Sequence, residues 1–458
     1  METTNILVPV GALGAGVRED AVQAGLVAGA HAIACDAGST DSGPAYLATG
    51  RSKYSRDAVK SDLAILMRAQ AQAGIPLLIG SCGTSGCDAA LDWTCDIALE
   101  IAREHKLSPR IALLYSEQNA EDLISRAARG RLAPLAPMTA VDPEALRRSA
   151  HIVALMGPEP YVAALQAGAD IVLGGRTTDT AVLAALPLMR GAGAGPAWHA
   201  GKIAECGALC TTNPQGGGVM IRVGADEFLV EPLGDKGRCT PYTVSAHMLY
   251  ENADPFRLTE PGGVLEVADA RYEAVDERCV RVTGSRFEPR PYTMKLEGAA
   301  SAAFQTIMLV GVRDPKVLAD VDRFVAQMAR ALDRRVADAL GAAAGAYDIS
   351  LRPYGWNAVT GVPNPADAPA PAEIGLLFVA TAQTQDLATR IAKTCNPIFF
   401  HMPLEREAEL PSYAFPFSPA EIERGAVFEF LLNHVVAVDD PLELVRTRFL
   451  PELEALDA

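Results

Sequence analysis

Short apolar runs alternate with amphipathic stretches over roughly the first 190 residues, the pattern expected when βαβ units build a parallel sheet. Strands are predicted at 6–10, 32–35, 76–80, 110–115, 152–156 and 170–174. Between them, apolar residues at three- and four-residue spacing predict helices at 18–30, 56–73, 93–105, 120–129 and 160–167. The expected fold class is therefore α/β, with a doubly wound, mostly parallel sheet at the N-terminus. A closed eight-stranded barrel would need two more repeats than the chain supplies.

After Pro196 the pattern changes. Short runs at 219–223, 227–230, 264–267, 278–282 and 292–296, broken by Gly, Pro and Asp, predict antiparallel strands with one helix at 243–252. From about residue 303 the order is strand, helix, strand, strand, helix, strand (305–312, 319–340, 349–354, 374–380, 384–394, 427–437), which matches a ferredoxin-like α+β unit. A Pro- and Ala-rich insertion at 363–372 reads as a surface loop. Three sections follow: 1–196, an α/β domain carrying Gly-rich loops; 197–302, β-rich; and 303–458, ferredoxin-like.

Composition narrows the functions. The chain has 458 residues, 49% hydrophobic and 21% charged, as in ordinary globular proteins. Against 40 Lys and Arg stand 56 Asp and Glu, a formal charge of −16, and no basic stripe appears, so no nucleic-acid partner is expected. No apolar stretch is long enough to span a membrane, and Met1-Glu-Thr-Thr-Asn5 lacks a basic, apolar leader, so a cytoplasmic protein with no membrane partner is expected. Nine scattered cysteines without C-x-x-C spacing read as free thiols. Self-association into a homo-oligomer is expected from the apolar content and added β-sections.

The candidate chemistry lies where predicted strands end. Asp36-Ala-Gly-Ser-Thr-Asp41 follows the second strand, with two carboxylates, hydroxyls and a glycine; its plainer reading is a capped strand-to-helix turn. Gly11, Gly14 and Gly16 follow the first strand, Gly80-Ser-Cys-Gly-Thr-Ser-Gly86 the third, Ser116 and Glu117 the fourth, and Gly175-Arg-Thr-Thr-Asp179 the sixth. Glycine-rich turns can offer N–H groups to an anion, and Arg176 adds a planar fork. Ser39, Thr40, Gly80, Ser81, Thr84 and Arg176 are thus expected to bind substrate. Asp36, Asp41 and Asp179 are candidates for acid–base work or for holding a hard ion such as Mg2+. Glu205 with Lys295 is expected to form a second acid–base pair, with His247 as a further catalytic candidate or a buried core histidine. The fingerprints of dinucleotide and P-loop sites are missing, and no organic cofactor is expected. Cys82 reads as a small buried thiol rather than a nucleophile, and Asp92 as a helix cap. His401 and His434 read as structural.

A wider set of motifs carries a family resemblance. Asp36-Ala-Gly-Ser-Thr-Asp41, Gly80-Ser81, Asp92-Trp93, Gly175-Arg176, Asp179, Glu205-Cys-Gly207, Cys239-Thr-Pro241, His247-Met-Leu-Tyr-Glu251, Asp254-Pro255, Arg281-Val-Thr-Gly-Ser-Arg-Phe287, Lys295-Leu-Glu-Gly298 and Phe415-Pro-Phe-Ser-Pro419 together resemble the acyclic terpene utilisation AtuA-type family over nearly the whole chain. The resemblance implies a bacterial catabolic enzyme without an evident organic cofactor. Thr177-Thr178 after Arg176, and Cys82 in place of another small residue, depart from the family pattern. The leading expectation is a lyase or isomerase, foremost a hydratase, acting next to the carboxylate or thioester of a small organic acid or acyl-CoA. The alternatives are a non-catalytic anion- or acyl-CoA-binding subunit, and an amide or ester hydrolase using Ser39, Ser81 or Cys82.

Overall fold

The computed structural model describes residues 3–365, 367–405, 411 and 413–451. The side chain of His401 lies outside the described set, as do those of Ala344 and Phe400. Contacts divide the chain into two units, one of residues 1–300 with 430–458, the other of residues 301–429.

The first unit is built on a sheet whose centre is parallel. Thr4–Val8, Ala32–Asp36, Leu77–Gly80, Ile171–Gly174 and Ile111–Tyr115 lie side by side in that order. Side chains alternate between faces, as the two-residue period requires. Ile6, Val8, Ala34, Leu78, Leu114 and Val172 enter one buried cluster, and Leu7, Ile33, Cys35, Ile79, Leu113 and Leu173 the other. Both faces are thus dry, which explains why these strands read as near-continuous apolar runs.

The winding follows from handedness. The chain steps one way across the sheet up to Ile111–Tyr115, with the helices Glu19–Val27, Arg56–Ala73 and Asp88–His105 on one face. It then steps back to insert Ile171–Gly174. A right-handed crossover taken backwards puts its helix on the opposite face. Tyr161 and Ala164 of the helix Glu159–Gln166 accordingly pack in the other cluster.

Several expectations need correction. The strand expected at 152–156 forms as His151–Ala154, but it leaves the parallel sheet and pairs antiparallel with Leu296–Ala299. The antiparallel strands expected at 219–223 and 227–230 do form, and they join the parallel sheet. Val219–Val223 and Glu227–Pro232 extend it, followed by Val280–Thr283 and Arg271–Ala274. Arg446–Leu450 closes the other edge against Ile111–Tyr115. The expected cap Asp92 sits inside the helix Asp88–His105, where its Oδ1 accepts a 2.6 Å hydrogen bond from Tyr115.

The second unit has the expected β-α-β-β-α-β order. Its strands come from Thr293–Val312, Tyr347–Tyr354, Ile374–Ala382 and Ile422–Ala437, and the sheet order places the second beside the third, the third beside the first and the first beside the last, as in a ferredoxin-like fold. Val321, Phe324, Met328, Leu332 and Val336 form one stripe of the helix Val321–Leu340, facing Met308, Val310, Leu376 and Phe378. Among the described residues, no helix is long and apolar enough to cross a membrane.

Candidate functional site at the carboxyl edge of the parallel sheet

The turns after the parallel strands do gather at one edge, though their glycines serve a different purpose from the one expected. Gly86 has a φ of +63°, and a Cβ there would stand 2.2 Å from the Arg176 nitrogen. Only glycine lets these two loops touch. Ser81 N–H donates to the Gly175 carbonyl and Cys82 N–H to that of Gly174, so these donors face protein rather than a ligand. In the first turn, the N–H groups of Gly14, Gly16 and Val17 do grip a carboxylate, at 2.8–3.0 Å, but it belongs to Asp62.

Arg176 ties the loops together. Its Nε donates to Glu297 Oε2 at 3.2 Å, Nη1 to Ser81 Oγ at 3.0 Å and to Asp179 Oδ1 at 3.2 Å, and Nη2 to Thr40 Oγ1 at 3.2 Å and Ser39 Oγ at 3.5 Å. A buried guanidinium needs such partners because its desolvation is otherwise uncompensated. The price of this coordination is availability: its donors are directed at protein oxygens. Burial tends to raise the Glu297 carboxyl, yet Arg176 and Lys295 outweigh it and hold the group at about 2.

Two adjoining cavities, of about 440 and 280 Å3, open on this edge and share Ser39, Asp41, Asp179, Glu205 and Glu251 in their walls. Arg176, Lys202, Glu260, Lys295 and Glu297 line the larger, and Asp36, Lys53, Cys206 and Tyr250 the smaller. The structure thereby brings Asp36, Asp41, Asp179, Glu205, Lys295, Ser39 and Arg176 to one place. Gly80, Ser81, Thr40 and Thr84 lie behind the walls. Ser81 and Thr84 are wholly buried, and the Thr40 hydroxyl donates to Glu297 Oε2 at 2.7 Å.

The expected partnership of Glu205 with Lys295 is replaced by two others. Glu205, at the end of the helix Ala194–Ala204, accepts from Lys202 of that helix and from the Thr180 hydroxyl at 3.1 Å. Lys295 donates to Glu297 Oε1 at 2.9 Å, two residues along the strand Thr293–Val312 and on the same face. Spacing alone carried both signals: i,i+3 neighbours on a helix, and i,i+2 neighbours on a strand. Glu260, from the strand Arg257–Glu260, had no such signal.

Burial shapes the protonation of these carboxyls. It pushes Glu205 up to about 8, with Asp179 adding and Lys202 opposing. It likewise pushes Glu260 up to about 7, with the neighbouring polar side chains of Thr178 and Thr180 and the Lys202 charge opposing. Asp36 is raised well above the usual range by burial and by Asp179, and its Oδ1 is buried without a hydrogen-bond partner. Asp179 is raised by burial, with Arg176 pulling the other way. Burial depresses the Lys202 ammonium, but Glu205 beside it reverses the balance and the net shift is upward.

His247 stacks on Tyr250 outside both cavity linings, with burial and Lys202 pushing it down to about 4. Cys82 is fully buried and its thiol is pushed far up by that burial, as a packing thiol should be. A separate polar group stands on the same edge, where His151 Nδ1 meets Glu117 Oε1 at 2.6 Å and Glu117 Oε2 accepts from the Asp88 N–H at 2.8 Å. Cys87 adjoins it. Those hydrogen bonds give each oxygen of Glu117 a partner and hold the imidazole by one ring nitrogen.

Neither a curated protein nor a solved structure matches the chain. The model of the acyclic terpene utilisation family protein AtuA matches residues 40–222 and 226–414, a span that holds Arg176, Asp179, Lys202, Glu205 and Lys295. The chain therefore belongs to the acyclic terpene utilisation AtuA family, a family of catabolic proteins.

Proposed function

We propose that the protein is a lyase of the hydratase type, adding or removing water, or cleaving or shifting a bond, beside the carboxylate or thioester of a small organic acid. The observation that carries this reading is the meeting, in the lining of one cavity, of Asp179, the Lys202–Glu205 pair and Lys295. Such chemistry needs a base for a proton beside a carbonyl, an acid for the departing or arriving oxygen, and a cation for the carboxylate. Asp179 takes the first role. Lys202, held in place by Glu205, takes the second. Lys295, whose side chain is 41% exposed, and Arg257 at the mouth receive the anion. Arg176 instead fixes Asp179 and Glu297, so its part is positioning. Leu249, Tyr250 and Phe256 are exposed in the segment that supplies Glu251, Asp254 and Arg257 to the wall. They support a substrate with an apolar tail behind its acid group, in keeping with the family's acyclic terpenes.

The test is incubation of the pure protein with hydroxy- and unsaturated acids and their CoA esters in 18O-labelled water, with products followed by mass spectrometry. Label entering a substrate hydroxyl, or water lost from it, is the expected result. Tight binding of an acid with neither exchange nor turnover would replace the lyase by a binding subunit.

A further inference from the structure

At the wall of the smaller cavity, Glu205 stands beside two side chains, Cys206 and His247, that the proton chemistry above does not use. Glu205 and Cys206 are consecutive residues following the helix Ala194–Ala204, and His247 ends the helix Pro241–His247. One ligand atom from each lies within 4.8 Å of the others. Ligand atoms around a tetrahedral zinc stand roughly 3.4–3.6 Å apart given the usual Zn–N, Zn–O and Zn–S lengths, so closure asks only for side-chain adjustments.

Two further observations point to a ligand here. His247 is 94% buried, yet its Nε2 has no hydrogen-bond partner. An orphaned buried imidazole nitrogen is costly, and a metal ion is one of the few partners that would satisfy it. In addition, Cys206 and Glu205 line the smaller cavity, so an ion held by these three residues would keep a position open toward Asp36, Asp41 and Asp179. Three protein ligands with an open fourth place distinguish catalytic from structural zinc sites. The His151–Glu117 group offers the contrast, since there both Glu117 oxygens are already held, one by His151 and the other by the Asp88 N–H.

We infer that Glu205, Cys206 and His247 form a binding site for a zinc-class transition-metal ion with one coordination position open to the cavity. The mixed oxygen, sulfur and nitrogen donors favour such an ion over Mg2+, which takes oxygen ligands. Lys202 and Thr180 each donate to Glu205, and a carboxylate with about four lone-pair sites keeps room for a metal beside them. They then act as the partners that orient the ligand. The ion would supply Lewis-acid polarisation of a substrate oxygen, which deepens the lyase reading and rests on it only for that purpose.

The test uses cobalt(II) as the probe. The full chain, stripped of metal by chelator, is titrated with cobalt chloride and followed by absorption spectroscopy, with no substrate present. The expected result is saturable binding with a thiolate-to-cobalt charge-transfer band, displaced by zinc. Cys206→Ser should abolish that band, His247→Gln should weaken binding at least tenfold, and Cys87→Ser should leave both unchanged. Circular dichroism checks that each variant is folded. Absence of the band in the wild-type chain, or its survival in Cys206→Ser, would overturn the site. Because the readout is spectroscopic, metal binding without turnover of any acid would sink the lyase reading alone, and turnover by the metal-stripped chain would leave that reading standing without the ion.

Discussion

The two units spend their burial differently. Among the described residues of the 301–429 unit, Thr306 is the buried polar side chain, and the rest of its interior is Met308, Phe324, Leu332, Phe378 and similar residues. The other unit buries Asp36, Arg176, Lys202, Glu205, His247 and Glu297, each at a cost in desolvation that pairing only partly returns. One interior is almost wholly apolar, while the other accepts electrostatic expense, with Asp36, Arg176, Lys202, Glu205 and Glu297 gathered at one sheet edge. Expense concentrated at one edge is what a functional site looks like.

That contrast can be broken at several points. The largest effect is expected from Asp179→Asn, which should lower kcat by about 10^2–10^4-fold, the usual contribution of a general base, while the melting curve moves little. Steady-state kinetics on the first substrate found would check it, and an unchanged kcat would take Asp179 out of the chemistry. Next, Glu297→Ala removes the partner of two cations and leaves Arg176 buried beside a vacancy. A loss of about 3–5 kcal/mol in chemical denaturation is expected, with Glu297→Gln milder. In the other unit, Leu332→Ala should cost about 2–5 kcal/mol by leaving a cavity in the helix–sheet core and should not alter kcat. If it changes kcat as much as stability, the division of labour drawn here fails.

Much of this division could be read from residue order. The apolar runs at 32–35, 76–80 and 170–174 located the parallel strands, and polar loops behind them located the edge. The ferredoxin-like unit followed from its strand and helix sequence. What spacing could not convey was pairing across distance. Asp62 closes on Gly14, Gly16 and Val17 from a helix 45–48 residues away, and nothing local marks it as their ligand. Arg176 read as an anion receptor because a lone arginine after a glycine turn offers five donors; that Thr40, Ser81, Asp179 and Glu297 use them is a tertiary fact. The strand His151–Ala154 was visible as a strand, but its choice of Leu296–Ala299 as neighbour was not. By contrast, the Lys202–Glu205 and Lys295–Glu297 pairs follow from helical and strand periods.

The smallest expected effect concerns pH and the half-buried His151. The hydrogen bond to Glu117 raises its pKa above the ordinary value, with burial opposing. A folded-state pKa above the unfolded one stabilises the protein fully below the unfolded value, about 6.5, and the gain fades as pH rises through the folded value. The gap in denaturation midpoint between wild type and Glu117→Gln should therefore narrow on going from mildly acid to mildly alkaline buffer. A gap that widens instead would show that the imidazole is neutral throughout and that its bond to Glu117 is of another kind.

The grip of Asp62 on the first turn has a consequence of its own. A carboxylate anchored in the polypeptide cannot diffuse away, so the three main-chain donors it occupies have no vacant state for a free phosphate or nucleotide to exploit. The turn therefore has one shape, whether metabolites are scarce or abundant, and it presents the neighbouring cavity with a wall that is already set before any visitor arrives.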